Sequence, residues 1–247
     1  MMKSLFFLSS IILLSAVSYL LFPHGANAAV SIDGTRIVYP AKASEITIKM
    51  MNKGNTPSLM QIWIDRGDSV TQPQNSDAPF VITPPIVRID PKNGQSVRVM
   101  FTGEKLPQDR ETLFGFNALE IPPVSAEQDK SSLQIAVHSR LKLFYRPAGL
   151  AGDAASAPSL VNWQIVPSAK GGYVLRGKNP TAYYVTYSKL NLQADGQHYD
   201  LGTGMIAPLS SEEFSIKGMK SHSKTFQLIY RPMSDYGVGA ENKMTVH

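Results

Sequence analysis

Three cations, Arg140, Lys142 and Arg146, follow closely on three aliphatic residues at period two, Leu133, Ile135 and Val137, in the stretch LQIAVHSRLKLFYRP at residues 133–147. Period-two spacing places the three aliphatics on one face of a strand. On pattern alone this is a core strand of a β-sandwich with a solvated basic end. A mildly basic surface suits an acidic or carboxylate-bearing partner as well as it suits plain solubility.

Signals for bond-making chemistry are missing. His138, His198, His222 and His247 lie far apart, with no acidic or histidine partner at metal-ligand spacing, and read as surface residues. The chain has no cysteine and carries no G-x-S-x-G, P-loop or G-x-G-x-x-G motif. Glu212 and Glu213 are adjacent, so in a strand they point to opposite faces and do not form an acid/base pair. Two carboxylates converging from distant segments, as in a carbohydrate-processing sandwich, are the enzymatic arrangement these motifs leave open. No enzyme activity, metal or cofactor is expected.

The elements that must position these residues are strands. Short runs at 35–39, 45–51, 59–65, 87–89, 96–101, 112–121 and 133–145 are punctuated by Pro, Gly and Asn. This reads as an immunoglobulin-like sandwich without the cysteine pair of antibody domains. Residues 148–158, AGLAGDAASAP, are small and nearly uncharged, and form the best linker in the chain. Beyond it, runs at 161–166, 172–176, 183–190, 213–216 and 225–230 predict a second, smaller β domain.

The N-terminus sets the compartment. Lys3 precedes an apolar run over 5–22, followed by Ala26-Asn27-Ala28, the order of a cleavable secretory signal. The expected division is a signal peptide at 1–28, a first domain at 29–147, a linker at 148–158 and a second domain at 159–247. No later stretch is long and apolar enough for a membrane helix, so no membrane insertion is expected after cleavage. Net charge is +5, but the 24 lysines and arginines are scattered without a basic block, which argues against nucleic-acid binding.

Several landmarks in chain order resemble those of the periplasmic pilus chaperones of the chaperone–usher pathway. One is the stretch at 133–147. Another is LPQDRETLF at 106–114, running into Phe116-Asn117 and Glu120-Ile121-Pro122-Pro123. Others are Ala29-Val30-Ser31-Ile32-Asp33 leading to Arg36, Thr83-Pro84-Pro85 with Arg88, Asn179-Pro180-Thr181 with Tyr183-Tyr184-Val185, and Asp235-Tyr236-Gly237. Two positions depart: Gly115 stands where the family usually has an aromatic, and Ala118 where a larger aliphatic is usual.

The resemblance implies an all-β fold of two immunoglobulin-like sandwich domains set at an angle with a cleft between them. It also implies a non-enzymatic chaperone in the periplasm, which stabilises pilus subunits by donor-strand complementation and delivers them to an outer-membrane usher. Leu133, Ile135 and Val137 would be the donor strand entering the subunit groove. Arg36 and Lys142 would bind the subunit's C-terminal carboxylate, and Glu111, Arg146 and Asp235 would form an interdomain ion cluster. The loop at 124–132, nine residues long, resembles the short-loop branch associated with rod-type pili. A self-capping homodimer of the free chaperone is a further candidate assembly. The competing reading, a two-domain adhesin or carbohydrate binder, calls for a sugar-stacking aromatic platform or calcium-ligating acidic loops, and neither is evident.

Overall fold

A computed structural model describes residues 29–67, 71–123, 135–219 and 225–246. The expected signal peptide, the loop at 124–132 and Leu133 lie outside the described residues. In chain order the strands of the first domain are β1 (Val30–Ile32), β2 (Arg36–Pro40), β3 (Ile46–Asn52), β4 (Ser58–Asp65), β5 (Phe80–Thr83), β6 (Ile86–Ile89), β7 (Gly94–Phe101), β8 (Thr112–Ile121) and β9 (Val137–Arg146). They form two sheets, β1-β3-β7-β5 and β2-β9-β8-β4-β6.

Alternation builds the core between them. Ile48 and Met50 of β3 and Val97 and Val99 of β7 point inward, against Ile62 and Ile64 of β4, Phe114 and Phe116 of β8, and Leu143 and Tyr145 of β9. Tyr39 is almost fully buried among these, and its hydroxyl accepts the Phe101 N–H at 3.1 Å while lying 3.1 Å from the carbonyls of Ala43 and Ser44. The polar tip of a core aromatic is thereby satisfied.

The second domain contains β10 (Asn162–Pro167), β11 (Tyr173–Lys178), β12 (Val185–Ala194), β13 (Gln197–Ile206), β14 (Ser211–Ile216), β15 (Phe226–Ser234), β16 (Gly237–Val238) and β17 (Asn242–Val246). A three-stranded sheet, β10-β11-β14, faces a five-stranded one built on β12 and β15. Trp163, Tyr187, Phe214 and Tyr230 fill the space between them. Gly177 makes room for this packing, since a Cβ there would lie 2.6 Å from both Trp163 and Ile206.

Residues 148–158 do not stand clear of the domains. Leu150 and Ala154 pack on the second core and Ala157 is fully buried in it. The Tyr183 hydroxyl donates to the Gly152 carbonyl at 3.0 Å, and Tyr187 to that of Pro158 at 3.1 Å. Strands β1, β5, β13, β16 and β17 have no counterpart in the sequence reading. β1 and β16 are too short to show a period. β13 carries Gly202 at φ +75° beside a register shift, which breaks the alternation.

Candidate functional site

The site lies where the edge of one sheet meets the cleft between the domains. β8 pairs with β9 along nearly its whole length, from Thr112↔Tyr145 to Glu120↔Val137. On the other side β2 covers only part of β9, in parallel, from Arg36↔Lys142 to Pro40↔Arg146. Residues 137–141 therefore have a ladder on one side only among the described residues, and present the unpaired backbone of an open sheet edge.

The inward face of β9 continues into that open segment. Leu143 and Tyr145 are core residues and Leu141 packs at the rim, while Val137 and Ser139, on the same face, are only half-buried. Ile135 is 53 % exposed. The sequence places a strand over 133–145, whereas β9 begins at Val137, with Ile135 and Ala136 outside any strand. The physical reason is the partner: β8 ends at Ile121, and Pro122-Pro123 have no N–H to extend the ladder. Of the expected ladder, Val137 continues the inward parity of Leu141, Leu143 and Tyr145, while Ile135 lies beyond the start of the strand.

Arg36 and Lys142 stand at the inner end of the open edge, as cross-strand partners. Arg36 is only 8 % exposed. Its Nη1 donates to the Met233 carbonyl across the cleft at 3.2 Å, its guanidinium lies 5.7 Å from the Phe144 ring centre, and its buried Nε has no partner. Burial lowers the proton affinity of Arg36, opposed by the charges of Asp235 and Glu111. Burial also lowers the pKa of Lys142, and the nearby Arg36 charge lowers it further. Two cations stand side by side here, one with a buried donor that no described group of the chain satisfies.

The structure also brings Glu111, Arg146 and Asp235 together across the domain boundary. Arg146 Nε donates to Glu111 Oε1 at 2.7 Å, and its two terminal nitrogens take the Asp235 carboxylate in a fork at 2.8 and 2.9 Å. The other oxygen of Glu111 accepts the Tyr184 N–H at 2.7 Å, and the Glu111 N–H donates to the Ala182 carbonyl. Burial works against the Arg146 charge, but the hydrogen bonds and charges of Asp235 and Glu111 outweigh it and push its pKa above the ordinary arginine value.

Sequence reasoning missed the groups of the second domain that complete the cleft: the Met233 carbonyl, the Tyr184 N–H, and the Tyr184 ring, which sits 5.4 Å from that of Phe144. Backbone partners leave no mark in side-chain type. Phe144 alone had a signal, since it shares the outward parity of Lys142 on β9.

Comparison with known proteins bears on the same features. Residues 29–151 match the family described as the pili and flagellar-assembly chaperone, PapD N-terminal domain, and residues 156–244 match the pili assembly chaperone PapD, C-terminal domain. The probable fimbrial chaperone YadV of Escherichia coli K12 is 38 % identical over 229 residues, covering 91 % of this chain and 93 % of that protein. The chaperone protein FimB/FhaD of Bordetella pertussis is 42 % identical over 217 residues, 86 % of each. The crystal structure of the YadV chaperone superposes with a TM-score of 0.76 at 37 % identity, over 89 % of this chain and all of that one. The Pseudomonas aeruginosa CupB2 chaperone gives 0.71 at 33 %, over 87 % and 98 %. With both halves matched in order and the two-sandwich fold shared, the chain belongs to the PapD family of pilus-assembly chaperones.

Proposed function

We propose that the chain lends its β9 edge to a pilus subunit that lacks a strand, and holds the subunit's C-terminal carboxylate between Arg36 and Lys142. The observation that carries this reading is where β2 begins. β2 runs parallel to β9 and fills its edge only from the Arg36↔Lys142 pair onward. An added strand lying along residues 133–141 in the same direction would be collinear with β2 and would end against that pair. A chain terminus at this point meets two cations and the free Nε of Arg36.

Main-chain hydrogen bonds to the open edge supply affinity, and Leu133, Ile135 and Val137 fill the subunit's alternate pockets. Burying each aliphatic contributes about 1.5–3 kcal/mol before ordering costs. The subunit's exposed edge and apolar groove, an aggregation hazard, are covered together. The site needs no cofactor and no bond is cleaved.

The Glu111–Arg146–Asp235 cluster fixes the angle between the domains, so that the cleft is preformed. On this reading residues 1–28 direct the chain to the periplasm and are removed. Residues 29–147 form the strand-lending domain, 148–158 the docked connection, and 159–247 the second domain. Loaded subunits pass to an outer-membrane usher, and the nine-residue loop at 124–132 supports membership of the short-loop branch associated with rod-type pili. In the free protein a second copy caps the open edge as a homodimer.

Co-expression with a pilus subunit tests the strand. Ile135→Asp is expected to abolish subunit recovery in a periplasmic pull-down while circular dichroism and thermal melting stay as in wild type, because Ile135 is already more than half exposed. An unfolded Ile135→Asp protein would return this residue to the chaperone's own core.

A further inference from the structure

The face of β9 opposite the odd-numbered ladder carries a polar cluster that none of the roles above uses. Trp63 and Asp65 come from β4, Gly115 and Asn117 from β8, and His138 and Arg140 from β9, so three adjacent strands meet in it. Arg140 Nη2 donates to Asp65 Oδ1 at 2.6 Å, and its Nε lies 3.3 Å from Oδ2. Asn117 Nδ2 donates to the same Oδ2 at 2.6 Å, and the Gly67 N–H to Oδ1 at 2.7 Å. The imidazole of His138 lies 5.0 Å from the Trp63 ring, nearly parallel at 23°, with Nε2 3.0 Å from Asn117 Oδ1. The Asp65 side chain is 1 % exposed, so a carboxylate is buried here with every hydrogen bond accounted for.

Gly115 permits the arrangement. It pairs with Asp65 on one side and Lys142 on the other, and the Arg140 guanidinium crosses β8 directly over it. A Cβ at this position would sit 2.7 Å from both Arg140 Cζ and Asp65 Oδ1. The aromatic usual at this position would evict the arginine from the sheet.

We propose that Asp65, Asn117, His138 and Arg140 form a register lock for the open segment of β9, with Gly115 as the residue that makes room for it. This rests on the strand-lending reading, which it deepens. At its covered end β9 is fixed by buried Leu143 and Tyr145. At its open end it has one neighbour and half-buried side chains. Inward–outward alternation there rejects a slip of one residue, because that turns the odd face outward, but a slip of two preserves it. The lock rejects the slip of two. With the covered end held, a slip of the open segment by two would bring His138 opposite Asn117, where Arg140 now stands, and an imidazole does not supply the two-pronged donor that the Asp65 carboxylate holds. Arg140 and His138 are thus positioning residues: they touch no subunit, yet they set where Ile135 and Val137 project relative to Arg36 and Lys142.

Two measurements on the full-length mature protein test this. In the free chaperone, hydrogen–deuterium exchange over 135–141 is expected to accelerate at least about tenfold in Arg140→Ala, with 143–146 little changed. Gly115→Phe should reproduce this, and the double variant should add nothing further. Exchange unchanged at 135–141, or raised equally along all strands, would overturn the lock. In binding, wild type should prefer a peptide copying the subunit's last strand over the same peptide extended by two residues at its C-terminus. Arg140→Ala should lose at least half of that preference, Arg140→Lys should not restore it, and full retention in Arg140→Ala would overturn the lock as well. If wild type binds neither peptide, the strand-lending reading fails, while the exchange result still decides whether the cluster fixes β9.

Discussion

Arg36 and Lys142 are direct partners in the parallel pairing of β2 with β9, so two cations face each other at the point where the open edge of β9 closes. Neither has a carboxylate within ion-pair distance among the described residues. Arg36 instead reaches the Met233 carbonyl, and burial together with its neighbour's charge weakens the proton affinity of Lys142. The free protein therefore carries an electrostatic cost there, which a bound anion would relieve. Such a site is poorly suited to stabilising the fold and well suited to binding.

Lys142→Met separates those roles. A lysine whose folded-state pKa is lowered disfavours folding while charged, and that penalty fades as pH rises from the folded pKa toward the ordinary 10.5. Removing it should leave the neutral-pH melting temperature unchanged or higher, while capture of a subunit peptide weakens at least about tenfold. In wild type, capture should decline as pH rises through the lowered lysine pKa, at less alkaline pH than an ordinary lysine allows. Thermal melts and a binding titration from pH 7 to about 10 check both.

Arg146→Ala should act on the frame and not on the edge. It leaves the Glu111 carboxylate, 2 % exposed, without its cation and facing Asp235 across the cleft. The expected loss is about 2–4 kcal/mol, with the domains freed to change their angle. Small-angle scattering should show a broader distribution of shapes, and periplasmic abundance should fall. A compact wild-type profile with an unshifted melt would remove the cluster from this role.

Acid should act through Asp65. Burial pushes its carboxyl up, but hydrogen bonds from Arg140, Asn117 and the Gly67 N–H, with the Arg140 charge, together hold its pKa below the ordinary 3.8. A depressed carboxylate contributes stability above its unfolded pKa and loses it as pH falls through the folded value. Asp65→Asn should cost about 2 kcal/mol at neutral pH, and its melting temperature should converge on that of wild type as pH falls through the depressed carboxyl pKa. A gap that stays constant with pH would place the cost in packing instead of charge.

Part of this architecture is legible in the sequence. The run from Val137 to Tyr145, with its cations, marks β9, because a half-buried strand writes its period into its residue types. The start of β9 is less legible: Ile135 and Ala136 fall outside the strand, since strand length depends on where the neighbour stops, and Pro122-Pro123 stop it from a different segment. The second half of the cleft was not legible: the Met233 carbonyl that meets Arg36 is 197 residues away and belongs to the backbone. Gly115 was legible only as a departure. Its meaning appears once Arg140 is seen lying over it on the way to Asp65.

The most direct test of the central claim changes one charge on the partner. A peptide copying the last strand of a pilus subunit is prepared with a free C-terminal carboxylate and with a C-terminal amide, which keeps the shape and removes the charge. Wild-type chaperone is expected to bind the free acid at least about tenfold more tightly, and Lys142→Ala to lose most of that difference. Equal binding of the two peptides by wild type, or an undiminished preference in Lys142→Ala, would contradict the claim that the Arg36–Lys142 pair anchors the subunit's terminus.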